Sequence, residues 1–179
     1  MPFLGGLLLG IAAGCQTDAP IVPLPEEKTP IEESFHLKAL HYQGAYLKVF
    51  LQAPHYRRYG PDDHQDAYIE FPKGLNIIFY DSASGAVEAQ VRARYGRRWL
   101  SKRLSELKQE VLVVNPAGDS LMTEQLFWDE NAGRLYSSQR VRVVTPTETI
   151  VAEGFESDLA MDSIIFHRIK ALIRAKDSL

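Results

Sequence analysis

The residue with the most definite chemistry is the single cysteine, Cys15, which follows an apolar run and the small-residue stretch Ile11-Ala12-Ala13-Gly14. A thiol in that position fits a bacterial lipobox: a signal peptidase cuts before the cysteine, and its sulfur carries a diacylglycerol. Residues 1–14 are therefore expected to be a lipoprotein-type signal peptide and Cys15 the lipid anchor. The alternative, an uncleaved signal anchor, is disfavoured because Phe3–Ala13 falls short of the roughly 20 apolar residues that span a bilayer. Two features depart from the usual pattern. No Lys or Arg precedes Leu4, and Ala12 stands where Leu is commonest.

Other residue types offer less. The histidines His36, His41, His55, His64 and His167 are scattered and share no metal-ligand spacing. Asp62-Asp63-His64-Gln65-Asp66 carries enough carboxylate for a hard cation but lacks the glycine and terminal glutamate of a calcium loop. It is expected to be a solvated loop, with no metal. A nucleophile elbow and a phosphate-cradling glycine loop are both missing from the sequence, so no catalytic residue and no cofactor are expected. The doublets Arg57-Arg58, Arg97-Arg98 and Lys102-Arg103 either meet phosphate head groups or are ordinary charged surface.

Composition narrows the class further. Residues 1–14 contain no charged side chain, so the formal net charge of -3 belongs to the remainder. A pI near 6.0 gives no basic face for nucleic acid. With Cys15 committed to lipid, no disulfide is available, and the fold rests on packing and sheet hydrogen bonds.

Residues 15–33 read as a lipid-anchored linker: Pro20, Pro23, Pro25 and Pro30 alternate with acidic residues, a composition that buries too little to offset ordering entropy. A domain is expected over 34–170 and a tail over 171–179. Strict alternation marks strands at Ala45–Ala53 and Val87–Tyr95, the second against its helix-forming composition. Leu75–Tyr80, Val111–Val114, Ser120–Asp129, Arg134–Ser138, Val141–Val144 and Thr149–Ala152 are further strands, separated by turn residues. Trp99–Gln109 fits a short helix and an irregular strand pair equally. Three segments, Leu51–Tyr56, Val91–Tyr95 and Leu121–Trp128, share an apolar–x–small–aromatic outline that suggests a weak repeat. The fold class is all-β: a sandwich, barrel or rolled sheet.

Leu121-Met122-Thr123-Glu124-Gln125-Leu126-Phe127-Trp128-Asp129 carries an L-x-T-x-x-L-x-W-D pattern. Glu110–Asn115 precedes it, Arg134–Ser138 and Val141–Val143 follow, and Glu153-Gly154-Phe155-Glu156-Ser157-Asp158 closes the series. In this order the motifs resemble the LptC family, particularly its lipoprotein-like members. The resemblance implies a single open antiparallel β-jellyroll of the OstA/LptA-like kind, whose apolar interior receives acyl chains. It also implies a non-enzymatic role in lipopolysaccharide export. Such a protein takes lipopolysaccharide from an inner-membrane ABC transporter and passes it, edge to edge, to a periplasmic bridge protein of LptA type.

On that reading the lining is one phase of the alternating strands: Leu47, Val49, Leu51, Ile77, Phe79, Val91, Val111, Val113, Leu126, Val141 and Val143. The bland alternative is that they fill a closed core, as in a surface or structural β-sandwich lipoprotein with no transfer role. The resemblance places the chain on the periplasmic face of the inner membrane, whereas Gln16 under the enteric sorting rule points to the outer membrane. For Ile164–Lys176, spacing suggests an amphipathic helix and the resemblance a final strand. A strand over Ile164–Ile169 with a frayed or helical end is expected.

Overall fold

The structure is a computed structural model that describes residues 28–63 and 65–174. The expected signal peptide, Cys15, most of the expected linker, His64 and residues 175–179 lie outside the described residues. Every regular element within them is a strand: β1 (Glu32–Gln43), β2 (Tyr46–Tyr59), β3 (Tyr68–Phe71), β4 (Leu75–Tyr80), β5 (Val87–Ala93), β6 (Tyr95–Trp99), β7 (Leu104–Val114), β8 (Ser120–Asp129), β9 (Arg134–Val144), β10 (Glu148–Ser157), β11 (Ile164–Phe166) and β12 (Ile169–Arg174).

All twelve belong to one antiparallel sheet. The chain runs as a meander. β1 pairs with β2, and β2 pairs with both β3 and β4, which are two pieces of one pass. β5 and β6 form the next pass, and both pair with β7. β8, β9 and β10 follow in order, and β10 carries β11 and β12 side by side along its other edge. The ambiguous stretch resolves as strand: β6 ends at Trp99, and Leu104–Lys108 pairs with it residue by residue. The C-terminal stretch differs from expectation. Residues 169–174 are extended rather than helical, because the backbone of β10 pairs with them from Glu148 to Ala152.

The passes are interrupted at one common height. His36 has a left-handed φ of 56° and sits opposite Pro54, which has no N–H to pair. Next come Pro72-Lys73-Gly74, with Gly74 at φ 86°, then Arg94 between β5 and β6, then Gln109 and Glu110 at 65° and 52°. The register slips again between Thr123 and Phe127 on β8 and at Gly154 on β10, where φ is 83°. Cross-strand bonds link the series: Arg94 N donates to Gln109 O (3.0 Å), and His167 N to Gly154 O (3.1 Å). These are β-bulges stacked in register, and bulges bend the strands that carry them. Together they draw a crease across the sheet.

The sheet folds back along this line. Phe79 pairs with Ala89 on one side of the crease, whereas Trp128 pairs with Ser105 on the other. In a flat sheet that register would hold them roughly 30 Å apart along the strands, yet their rings meet edge to face at 4.9 Å. Asn115 Nδ2 likewise donates to Ala160 O across the rim at 3.2 Å. The result is two facing leaves. Leaf A holds β4, β5, β12 and the parts of the long strands flanking them; leaf B holds β3, β6, β11 and the remaining parts.

One apolar core lies between the leaves. The crease explains how both halves of a strand face it. Along β8 the buried positions are Leu121, Thr123 and Leu126, and along β10 they are Ala152, Phe155 and Ser157, with Gly154 buried at the bend itself. A step of three replaces the usual two, so the inward phase is restored after the bend.

Candidate functional site

The interior between the leaves is the one place where the sequence-selected residues converge. Phe79, Val91, Val111, Val113, Leu126, Val141 and Val143 are buried members of the core. Val49, Leu51 and Ile77 are half-buried and pack against it, and Leu47 continues the same alternation on β2. Several wall residues were not selected: Leu121, Leu135 and Phe155, all fully buried, and Met161, Ile164 and Phe166 at the far end. The same alternation that marked Val141 and Val143 marks Leu135, so the signal for it was present. Met161 sits in an irregular turn at φ 60°, where no period exists to reveal it.

The interior is graded. From β7 to β10 it is closed, with Val113, Leu121, Leu126, Val141, Ala152 and Phe155 at zero exposure. Toward β1, β2 and β4 it opens. No residue of β1 is buried at all, and Leu47, Val49 and Leu51 next to it on β2 are half-buried. Leu37 and Ala39 stand beside Ala53 and Leu51 in the sheet, and Leu37 packs against the core. An aliphatic wall of this kind holds apolar matter without directional bonds.

Both outer edges of the sheet are unpaired among the described residues. The β12 edge carries Ile169 and Ile173, 56% and 61% exposed, next to Lys170 and Arg174. Unpaired backbone along such a strand is a template for another strand.

β1 is fastened at one end only. Glu33 Oε1 lies 2.6 Å from His55 Nε2 and accepts from Arg57 Nε at 3.0 Å, while Phe35 stacks on the His55 ring at 4.6 Å. The His55 bond, then the Arg57 bond, hold the Glu33 carboxyl below its ordinary range. Beyond His36, Leu37 packs against the core and the rest of the strand is held by its backbone pairing to β2.

The polar candidates form structural pairs. Arg57 and Arg58 meet Glu33 and Glu32; Arg97 and Arg98 meet Glu70 and Glu130; Lys102 and Arg103 meet Asp66 and Glu130. The three doublets are thus taken up by carboxylates of the same chain. Tyr95 donates to Glu70 at 2.6 Å; burial first, and that bond second, push its hydroxyl far above the usual phenol range. Tyr59 and Tyr68 stack at 4.6 Å beside it, with the Arg97 guanidinium over Tyr68. Asp62 meets Lys28 at 2.6 Å. Among the described residues no group of three or more His, Cys, Asp or Glu side chains is placed to hold a metal ion.

No protein-family model matches the chain. No curated protein matches it either.

Proposed function

We propose that this protein is a membrane-tethered lipid-transfer component of lipopolysaccharide export. In this reading the folded sheet is the open β-jellyroll of an LptC-like protein. Cys15 holds it at the periplasmic face of the inner membrane, and acyl chains delivered by an ABC transporter lie between the leaves. The β12 edge then pairs with a bridge protein of the same fold, by strand addition. The protein performs no chemistry; the transporter spends the ATP.

The observation that supports this reading best is the grading of the interior. One creased sheet encloses a continuous aliphatic wall that is sealed at β7–β10 and half-buried along Leu47, Val49, Leu51 and Ile77. A specific observation favours a second reading. Seven of the expected lining residues, Phe79, Val91, Val111, Val113, Leu126, Val141 and Val143, are buried as in an ordinary closed core. That suits a structural β-sandwich lipoprotein.

Photocrosslinking separates the two. Probes at Leu51 and Ile77 in the full chain are expected to capture lipopolysaccharide in cells, while an outward probe at Glu88 captures none. Copurification of the ABC transporter should accompany capture. Inward probes that stay unlinked, on a chain that does not bring down the transporter, would establish the structural reading instead.

A further inference from the structure

The two leaves differ on their outer sides, away from the core. On leaf B one cross-strand row holds Glu33, Arg57, Glu70, Arg97 and Glu106 in register, and the signs alternate. On leaf A a row of the same kind runs from Leu40 on β1 to Ile173 on β12. It passes through Phe50, Ile78, Val114 and Val144 and carries no charged residue. These four flank core residues on their own strands and do not belong to the core, so they point outward. They are half-buried, whereas Leu40 and Ile173 are 56% and 61% exposed.

The next row toward the crease, from Lys38 to Ala171, adds Leu112, Met122 and Val151. Its only charges are Lys38, Arg92 and Arg142, all exposed. Among the described residues none of the three has a carboxylate within ion-pair distance. Acidic side chains begin beyond the two rows, at Glu88 toward the rim and at Glu110 and Glu124 along the crease. The strip is thus apolar and basic, and it crosses nine strands, a length of about 40 Å.

Its charge and backbone limit what can cover it. From β2 to β10 every strand of the strip is paired on both sides, so no further strand can add there. A second copy laid face to face would set basic side chains against basic ones. The chain's own leader falls short: Lys28 is tied to Gly60 O and Asp62 at the far end of β2, and Ile21 and Leu24 reach no further than about 25 Å from it. The strip begins ten residues along β1 in the other direction. A bilayer with anionic lipid suits both components, since apolar side chains enter the boundary below the head groups and basic ones meet the negative surface.

We infer that the outer face of leaf A lies on an anionic membrane surface, with leaf B turned to the aqueous side. This orientation rests on the tethered placement proposed above and is independent of what the interior holds. The tether permits it: the thirteen residues from Cys15 to Lys28 extend to about 45 Å, enough to pass two leaves about 10 Å apart.

The test places the full lipidated chain in nanodiscs of phosphatidylcholine and phosphatidylglycerol containing a spin-labelled lipid, and follows methyl signals. Ile78 and Val144 should broaden far more than Ile165, which continues the outer row of leaf B opposite Glu156. Arg92→Glu with Arg142→Glu should weaken this preference by about tenfold or more, while Arg92→Lys with Arg142→Lys keeps it. Equal broadening at Ile78 and Ile165 would overturn the inference, since a domain tumbling on its tether shows no preferred face. So would a preference that survives the charge reversal or persists on phosphatidylcholine alone. Strip methyls that shift with poly-glutamate but not in the discs would assign the face to an acidic protein instead. Lipopolysaccharide capture at Leu51 and Ile77 reads the interior, so its failure leaves these methyl signals unaffected.

Discussion

The two ends of the interior are made from the same materials and behave differently. At β7–β10 each inward Val or Leu is covered by the opposite leaf, and exposure falls to zero at Leu121, Leu126 and Val141. At β1–β2 the inward residues are just as aliphatic, but Leu47, Val49 and Leu51 stay half-buried, and the edge strand beside them has no buried side chain. Composition therefore does not set the difference. Place in the sheet does: β7, β8 and β9 each have strands on both sides, whereas β1 is a bare edge and β2 lies next to it. A trough with a sealed end and a looser end follows from that placement.

The largest effect expected from this contrast is at the sealed end. Leu126→Ala should cost about 2–5 kcal/mol in a denaturant titration, because the fully buried side chain leaves a cavity. Leu51→Ala, the same deletion at the looser end, should cost about 1 kcal/mol, since the half-buried side chain loses less contact and solvent fills its place. Equal costs would break the comparison and show a uniformly closed core.

The crease supplies the next effect. Gly74→Ala adds a Cβ against the Ala93 carbonyl at φ 86°, whereas Gly44→Ala, in the β1–β2 turn at φ 62°, meets nothing within 4 Å. The first should cost about 1–3 kcal/mol and the second less, the difference being the backbone collision at the bend. Hydrogen exchange gives a finer measure. Amides of residues 37–43 on β1 should exchange well before those of β8 and β9, the former opening locally and the latter with the whole fold.

The smallest effect lies in the Glu33 latch. Its carboxyl is held below the usual range by His55 and Arg57, so the latch contributes fully above the unfolded carboxylate pKa, about 4.3. That contribution is lost as pH falls through the lowered folded value. A carbon-13 titration of the Glu33 side chain should show the depressed midpoint, and Arg57→Gln should move it back upward. An ordinary midpoint in the unaltered chain would remove the latch from the account of β1.

Much of this architecture was legible in the residues. Alternation located β2 and β5, and β-rich runs set off by turn residues such as Asn115–Asp119 located β4, β8, β9 and β10. The crease was visible only as a coincidence. Leu51–Tyr56, Val91–Tyr95 and Leu121–Trp128 share an outline because each is the point where a strand crosses the bend. The apolar pair keeps one leaf's phase, which resumes three residues later on the other leaf, at Tyr56, Gly96 and Leu126. A period-two reading has no place for such a skip. Residues such as His36, Gln109 and Glu110 do not advertise a left-handed backbone, so the bend was hidden at those strands. Tail spacing misled for a related reason: the break at His167–Arg168 offsets Phe166 from Ile169, and three-residue spacing imitates a helix.

Because every pass of the chain is kinked at the same height, the molecule has the geometry of an extrusion. Its cross-section is fixed by strand length and by the position of the bend, while its length is fixed only by how many passes are laid side by side. Each added hairpin would lengthen the trough by about 10 Å without altering its profile, and a second chain pairing at β12 would extend it in the same manner. Length and bore are thus independent quantities in this design, and insertion of whole hairpins changes one while leaving the other alone.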